Sequence, residues 1–197
     1  MNKEVHNKLL KINQRFYEQY ADSFSATRGR IQPGVRRLLK RMNPEASILD
    51  VGCGNGTLAQ SLAAGGFSGR YLGVDMSEGL LAVAAERFTE QPHGDFQVRQ
   101  ADLADPNWFE SIPSGPYDWL TAFAVLHHIP GKGLRERIVA GFARLVSPDS
   151  RVAVSVWQWQ NSPRLRKRVI ASSEVGLDPE ELERGDIVWG TDPLSDK

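Results

Sequence analysis

Residues 48–59, ILDVGCGNGTLA, place Gly52, Gly54 and Gly56 at alternate positions directly after an apolar run that ends in Asp50 and Val51. An apolar run of this length, followed by a glycine turn and a helical pattern, reads as a buried strand turning into a helix. Glycine is called for where such a turn needs positive φ, or where a Cβ would hold a ligand away from the backbone. One glycine would mark an ordinary tight turn; three at alternate positions after a strand point to a turn that admits a ligand. A dinucleotide fingerprint would need glycine or alanine at position 57, and the chain has Thr57 there, so the match to a nicotinamide-dinucleotide site is imperfect.

The rest of the chain repeats this strand-then-helix rhythm. SILDV, GRYLGVD, DFQVRQAD, YDWLTAFAV and RVAVSVW are short apolar runs. They alternate with helical spacing over roughly 56–64, 77–88, a short stretch near 105–110, and 133–146. Alternation of this kind predicts βαβ units, and hence a three-layer, doubly wound (Rossmann-like), mostly parallel α/β sheet with right-handed crossovers. Before it, residues 2–41 read as two helices flanking the polar stretch SFSATRGRIQPG. After Trp159 the pattern weakens, and only DIVW has the character of a strand. The expected organisation is a helical segment over 1–45, a core over 46–159 and an irregular or helical tail over 160–197.

Composition narrows the class. The chain has 197 residues, 41% of them hydrophobic, enough for one domain with a sizeable core. Its 24 basic and 24 acidic side chains cancel, which argues against indiscriminate coating of polyanions. Cys53 is the single cysteine, so no intrachain disulfide can form, and no stretch has the length and apolarity of a signal peptide or membrane span. A soluble cytoplasmic enzyme with no membrane partner is the expectation.

A second anchor for a ligand is Asp75, which ends GRYLGVD. A carboxylate at the tip of the second strand can accept both hydroxyls of a ribose, or serve as a loop acid or helix cap, for which Ser77 is the better placed. LDVGCGNG, GVD, QADLAD, YDWLTAFAVLHHIP and FARLVSPDSRVAVSVW, in that order over about residues 46–157, resemble the motif series of the class I S-adenosylmethionine-dependent methyltransferases. The resemblance implies that S-adenosyl-L-methionine is the cofactor. It implies that Asp50 and the backbone of Gly52, Cys53, Gly54 and Gly56 hold the methionine end. Asp75 with Met76 would meet the ribose side, and Asp102 with Leu103 the adenine. Asp102 can also be read as a loop acid capping a helix near Pro106.

Transfer of a methyl group from a sulfonium is an in-line displacement, in which alignment supplies most of the acceleration. A hydroxyl or ammonium acceptor must lose a proton to a base, whereas a carboxylate is already ionised. His127 and His128 follow the fourth strand and so fall at its carboxyl edge. Each can serve the acceptor or pack as a structural imidazole. With His6 and His93 far away in sequence, the pair does not give the spacing of a zinc site. FYEQYADSFSATRGRIQPGVRRLL, AVLHHI and VSVWQWQ further resemble the subgroup that methylates the carboxymethyl group of a tRNA wobble uridine. That resemblance implies that Arg28 and a histidine of LHH flank the acceptor, since a guanidinium fork can orient a carboxylate.

Three features lie outside the motif series. Arg164, Arg166, Lys167 and Arg168, with Arg30, Arg36, Arg37, Lys40 and Arg41, can contact phosphates or can be the solvated faces of two helices. Trp157 and Trp159 stand two residues apart at the end of the last apolar run and read as packing residues. The sheet of the resembled superfamily normally has seven strands, and nothing after Trp159 is long or apolar enough for the last two. RVAVSVW is therefore expected to be an open edge, unless DIVW or a partner chain covers it, and to favour self-association. The functional expectation is methyl transfer to an oxygen acceptor, either the modified tRNA uridine or a small molecule, with a cofactor-binding but inactive protein as the alternative.

Overall fold

A computed structural model of the protein describes residues 1–27, 31–89 and 93–190, the side chains of residues 19–27 excepted. Five strands, β1 (Ser47–Val51), β2 (Arg70–Asp75), β3 (Asp95–Gln100), β4 (Tyr117–Phe123) and β5 (Val146–Ser155), form one parallel sheet in the order β3-β2-β1-β4-β5. The chain steps outward from β1 to β3 and then returns to the other side of β1 for β4. The strand order thus reverses between β1 and β4, where an open α/β sheet leaves a crevice at its carboxyl ends.

Both faces of the sheet are covered, which is why its strands read as nearly continuous apolar runs. On one face Ile48, Tyr71 and Trp119 pack with Leu58, Ala59 and Leu62 of α3 (Thr57–Ala64), joined by Val35 and Leu38 of α2 (Pro33–Leu39) and Phe88 of α4 (Glu78–Thr89). On the other, Leu49, Leu72 and Leu120 pack with Leu134, Ile138 and Phe142 of α5 (Lys132–Phe142). Trp108 adds to this second layer from a 3₁₀ turn at Trp108–Ser111, where the sequence predicts a short helix.

Two boundaries differ from the sequence reading. The first helix, α1 (Lys3–Thr27), runs through the first five residues of the stretch expected as a polar loop. Serine and threonine cost a helix only a few tenths of a kcal/mol each, so no strong breaker is met before Gly29 and Pro33. At the other end, β5 begins at Val146 and stops at Ser155. Its early start is accommodated by a register shift opposite Tyr117 and Trp119, and Trp157 and Trp159 consequently lie beyond the strand.

The segment after β5 folds back on the amino terminus. It contains α6 (Pro163–Arg166) and a two-stranded antiparallel ribbon of β6 (Val169–Ile170) and β7 (Val188–Trp189). DIVW is therefore a strand, but its partner is β6 and not β5. Val188 and Leu177 bury Val5 and Leu9 of α1, Lys8 Nζ donates to the Gly176 carbonyl at 2.7 Å, and Asn2 Nδ2 donates to Glu181 at 3.0 Å. Among the described residues β5 has β4 on one side and no strand on the other. Its Val152 and Val154, and Val156 just beyond it, are 43–53% exposed.

Candidate functional site

The carboxyl ends of β1, β2 and β4 open onto one cavity of about 300 Å³, roofed by α1. The glycine turn forms its floor. Gly52 has φ +73°, and a Cβ there would sit 2.3 Å from Val125 Cγ2, so this glycine lets the loop after β4 close against β1. Gly54 has φ +54° and no atom within 4 Å of where a Cβ would project; it lines the cavity with bare backbone. Gly56 is not on the cavity wall. It caps α3, and a Cβ would meet Phe88 and Ala84 at 2.9 and 3.1 Å.

Asp75 ties the two strand tips together. Its Oδ2 accepts from the Gly54 amide at 2.9 Å and its Oδ1 from the Ser77 amide at 3.0 Å. Ser77 caps α4 by accepting from the Leu80 amide. Burial pushes the Asp75 carboxyl up, opposed by those backbone N–H groups, and lone pairs remain for further donors on the cavity side.

Asp50 is 3% exposed and also lines the cavity. Thr121 is its register partner on β4 and donates at 2.7 Å, while Tyr71 reaches it from β2 and donates at 2.6 Å. Removal from water dominates nevertheless, and the Asp50 pKa is pushed up to about 6. The Asp50 carboxylate is ionised at neutral pH but poorly solvated, a state that a bound cation would relieve. Burial also pushes the Cys53 thiol well up, so Cys53 contributes its backbone and bulk rather than a thiolate.

Three further residues expected at the site lie on the same wall. Met76 and Leu103 line the cavity, as does Asp102, whose Oδ1 accepts from the Ala104 amide at 2.8 Å in a local turn rather than capping a helix near Pro106. Asn55, not singled out from the sequence, is also on the wall and 3% exposed. Its Oδ1 accepts from Thr57 at 2.7 Å, and its Nδ2 has no hydrogen-bond partner among the described residues. A buried amide donor left without a protein acceptor is costly unless a ligand supplies one.

The other end of the cavity is ringed. His128 lines it and His127 does not, the two sharing a 3₁₀ turn at Leu126–His128 with ring centroids 4.1 Å apart. Trp157 and Tyr17 line it as well. The strand along which Trp157 was expected to pack ends two residues earlier, so its position on the wall was not legible in the strand pattern. Asn13 of α1 donates to the His128 carbonyl. Arg28 lies outside the described residues; Ile31, three residues further on, is on the cavity wall.

A doubly wound sheet whose switch point carries a bare glycine turn and two acidic strand tips defines a nucleoside-cofactor-binding α/β domain. The model of the family described as "Methyltransferase domain" matches residues 48–149, just over half of the chain. The chain belongs to this family, the S-adenosylmethionine-dependent methyltransferases. It is 32% identical over 130 residues to nocamycin O-methyltransferase of Saccharothrix syringae, covering 63% of this chain and 43% of that one. It is 29% identical over 147 residues to the tRNA (carboxymethyluridine(34)-5-O)-methyltransferase of Arabidopsis thaliana, covering 75% and 33%. The chain thus spans less than half the length of these curated relatives. A Haloferax volcanii methyltransferase solved in complex with the Trm112 methyltransferase activator has the same fold, with a TM-score of 0.61 at 17% identity, over 78% of this chain and 65% of that one.

Proposed function

We propose that this domain transfers a methyl group from S-adenosylmethionine to an oxygen nucleophile, and that the acceptor oxygen belongs to a carboxylate such as the carboxymethyl group of a modified tRNA uridine. The observation that carries the reading is the cavity itself. One end bears carboxylates and bare backbone, and the other combines apolar side chains and the amide of Asn13 with a single lining imidazole, His128, among the described residues. The kinship with O-methyltransferases of nocamycin and of tRNA supports oxygen as the acceptor atom. Transfer to a small metabolite is the second reading, favoured by the same nocamycin relative.

The residues present fit the cofactor. A Cβ at Gly54 would enter the space a ligand needs, and the orphaned Asn55 Nδ2 suits a carboxylate. Asp50 would hold the ammonium of the methionine end, and the Gly52–Gly54 backbone with Asn55 its carboxylate. Asp75 would take the ribose hydroxyls, while Met76, Asp102 and Leu103 would border the adenine. When bound, the cofactor supplies an electrophilic methyl on a positively charged sulfur. The chain's own work is alignment and exclusion of water, which a methyl displacement needs most. Leu10 of α1, Ile31, Val35 and Ile129 enclose the acceptor end, with the segment 1–45 acting as a lid. His128 can take the proton of a hydroxyl acceptor, whereas a carboxylate acceptor brings no proton to remove and needs orientation by Arg28 instead. His127, behind His128 and beside Trp157, fixes the ring next to the acceptor.

The proposed setting is the cytoplasm. The single cysteine forms no intrachain disulfide, and no helix among the described residues is long and apolar enough to cross a membrane. Incubation with a tritiated methyl donor and either total tRNA or a small-molecule extract tests the acceptor. Label in tRNA that is lost in Arg28→Ala, while S-adenosylhomocysteine affinity stays within about twofold, is the expected result. Label in the extract alone selects the second reading. Cofactor binding without label in either pool refutes both and leaves a binding protein.

A further inference from the structure

We infer that the acceptor group is presented on a planar ring, and that Trp157, backed by Trp189, is the residue that selects it. The inference rests on the methyltransferase reading for the site's purpose but on separate residues for its content. Trp157 follows the sheet's last strand and lines the acceptor end of the cavity. It belongs to a connected set of rings. Trp189 lies against it nearly parallel, with centroids 5.2 Å apart and an angle of 27°. His127 is 4.6 Å away at 30°, and His128 meets it edge-on at 5.6 Å. Tyr17 of α1 continues the set, edge-on to His128 at 5.5 Å.

This arrangement is rigid for a reason that lies outside the site. Trp189 ends the ribbon strand β7, and its neighbour Val188 is buried with Val5, Leu9 and Leu177. That cluster fixes the ribbon against α1, so Trp189 is held where it stacks on Trp157 without itself lining the cavity. A tryptophan whose position is over-determined loses little conformational freedom when a ligand arrives, so more of the contact energy is realised as affinity. The cavity wall here combines apolar Leu10, Ile31, Val35, Phe123 and Ile129 with polar Asn13, Gln14 and Gln32. A flat ring carrying one oxygen nucleophile would bury its faces on it and keep its polar edge for His128. Aromatic contacts of this kind are sequence- and substituent-tolerant, so they set ring planarity rather than the identity of the ring.

The test uses pairs of probes of similar size that carry the same polar group, one on a planar ring and one on a saturated ring: benzoate against cyclohexanecarboxylate, and phenol against cyclohexanol. Each is titrated by ligand-detected NMR into the protein saturated with S-adenosylhomocysteine, and into the protein without it. The planar member of each pair is expected to bind about fivefold tighter. Trp157→Leu should bring that ratio to about one, and Trp189→Leu should lower it, both with S-adenosylhomocysteine affinity within about twofold, which also reports that the variants fold. Trp157→Phe should keep the preference. Equal affinities within the pairs, an unchanged ratio in Trp157→Leu, or no saturable binding of either planar probe overturns the inference. Failure of S-adenosylhomocysteine to bind the wild-type protein overturns the methyltransferase reading instead, while the titrations without it still decide whether the wall prefers planar rings.

Discussion

Replacing Asp50 by asparagine should make the unliganded protein more stable and the cofactor site weaker. Asp50 is buried, and its pKa rises from 3.8 to about 6 because desolvation outweighs the Tyr71 and Thr121 hydrogen bonds. A shift of that size means that the ionised carboxylate costs about 3 kcal/mol at neutral pH relative to a solvated one. Asparagine keeps the shape and removes the charge. Its amide must donate where the carboxylate accepted, and the structure allows this: the Thr121 hydroxyl lies 3.5 Å from the Leu49 carbonyl, so its proton can turn there and leave its oxygen to accept. Thermal unfolding of Asp50→Asn at pH 7.5 should therefore show a gain of about 1–3 kcal/mol, or several degrees in Tm. Calorimetry should show S-adenosylhomocysteine affinity falling by about 10- to 100-fold, the worth of a hydrogen bond to a charged group. The pH dependence has a definite sign. The folded pKa lies above the unfolded one, so this group's contribution to stability is complete below pH 3.8 and is lost as pH rises to about 6. Cofactor affinity runs the other way, falling below pH 6 as the carboxylate takes up its proton. Tyr71→Phe removes one of the two donors and should move that acid limb to higher pH. An Asp50→Asn protein that is less stable than wild type, with unchanged cofactor affinity, would refute the reasoning.

The two lining glycines of the turn should respond differently to alanine. Gly52→Ala adds left-handed strain and drives a methyl into Val125, so denaturant unfolding should show a loss of about 2–4 kcal/mol; Gly54→Ala, with open space around it, should lose only about 1 kcal/mol yet weaken S-adenosylhomocysteine strongly. Equal stability losses would mean that the cavity floor is misdescribed. The edge of β5, unpaired among the described residues and with Val152 and Val154 exposed, supports pairing with a second chain. Sedimentation should show concentration-dependent association that Val154→Lys suppresses, and a single monomeric species at high concentration would refute it.

The legible part of this protein was local. A run of β-formers, then Gly52, Gly54 and Gly56, then helix formers, specifies a strand, turn and helix wherever it is placed, because φ preference and apolar spacing act over a few residues. Acidic residues at two strand tips follow from the same reading, and the strand–helix alternation dictates a parallel sheet through the length and handedness of its crossovers. The resemblance carried by LDVGCGNG and its companions rests on that local order. Where the sequence left the outcome open or misled, the deciding contact was made by residues far apart in the chain. The state of Asp50 depends on Tyr71 and Thr121, 21 and 71 residues away. DIVW found its partner in Val169 and Ile170 rather than β5, since both short strands share a small core with Val5 and Leu9. Trp157 became part of the cavity wall because the strand before it ended early and because Trp189 came to lie against it. Periodicity records which way a side chain points from its own backbone, and these outcomes turned on what the rest of the chain brought to meet it.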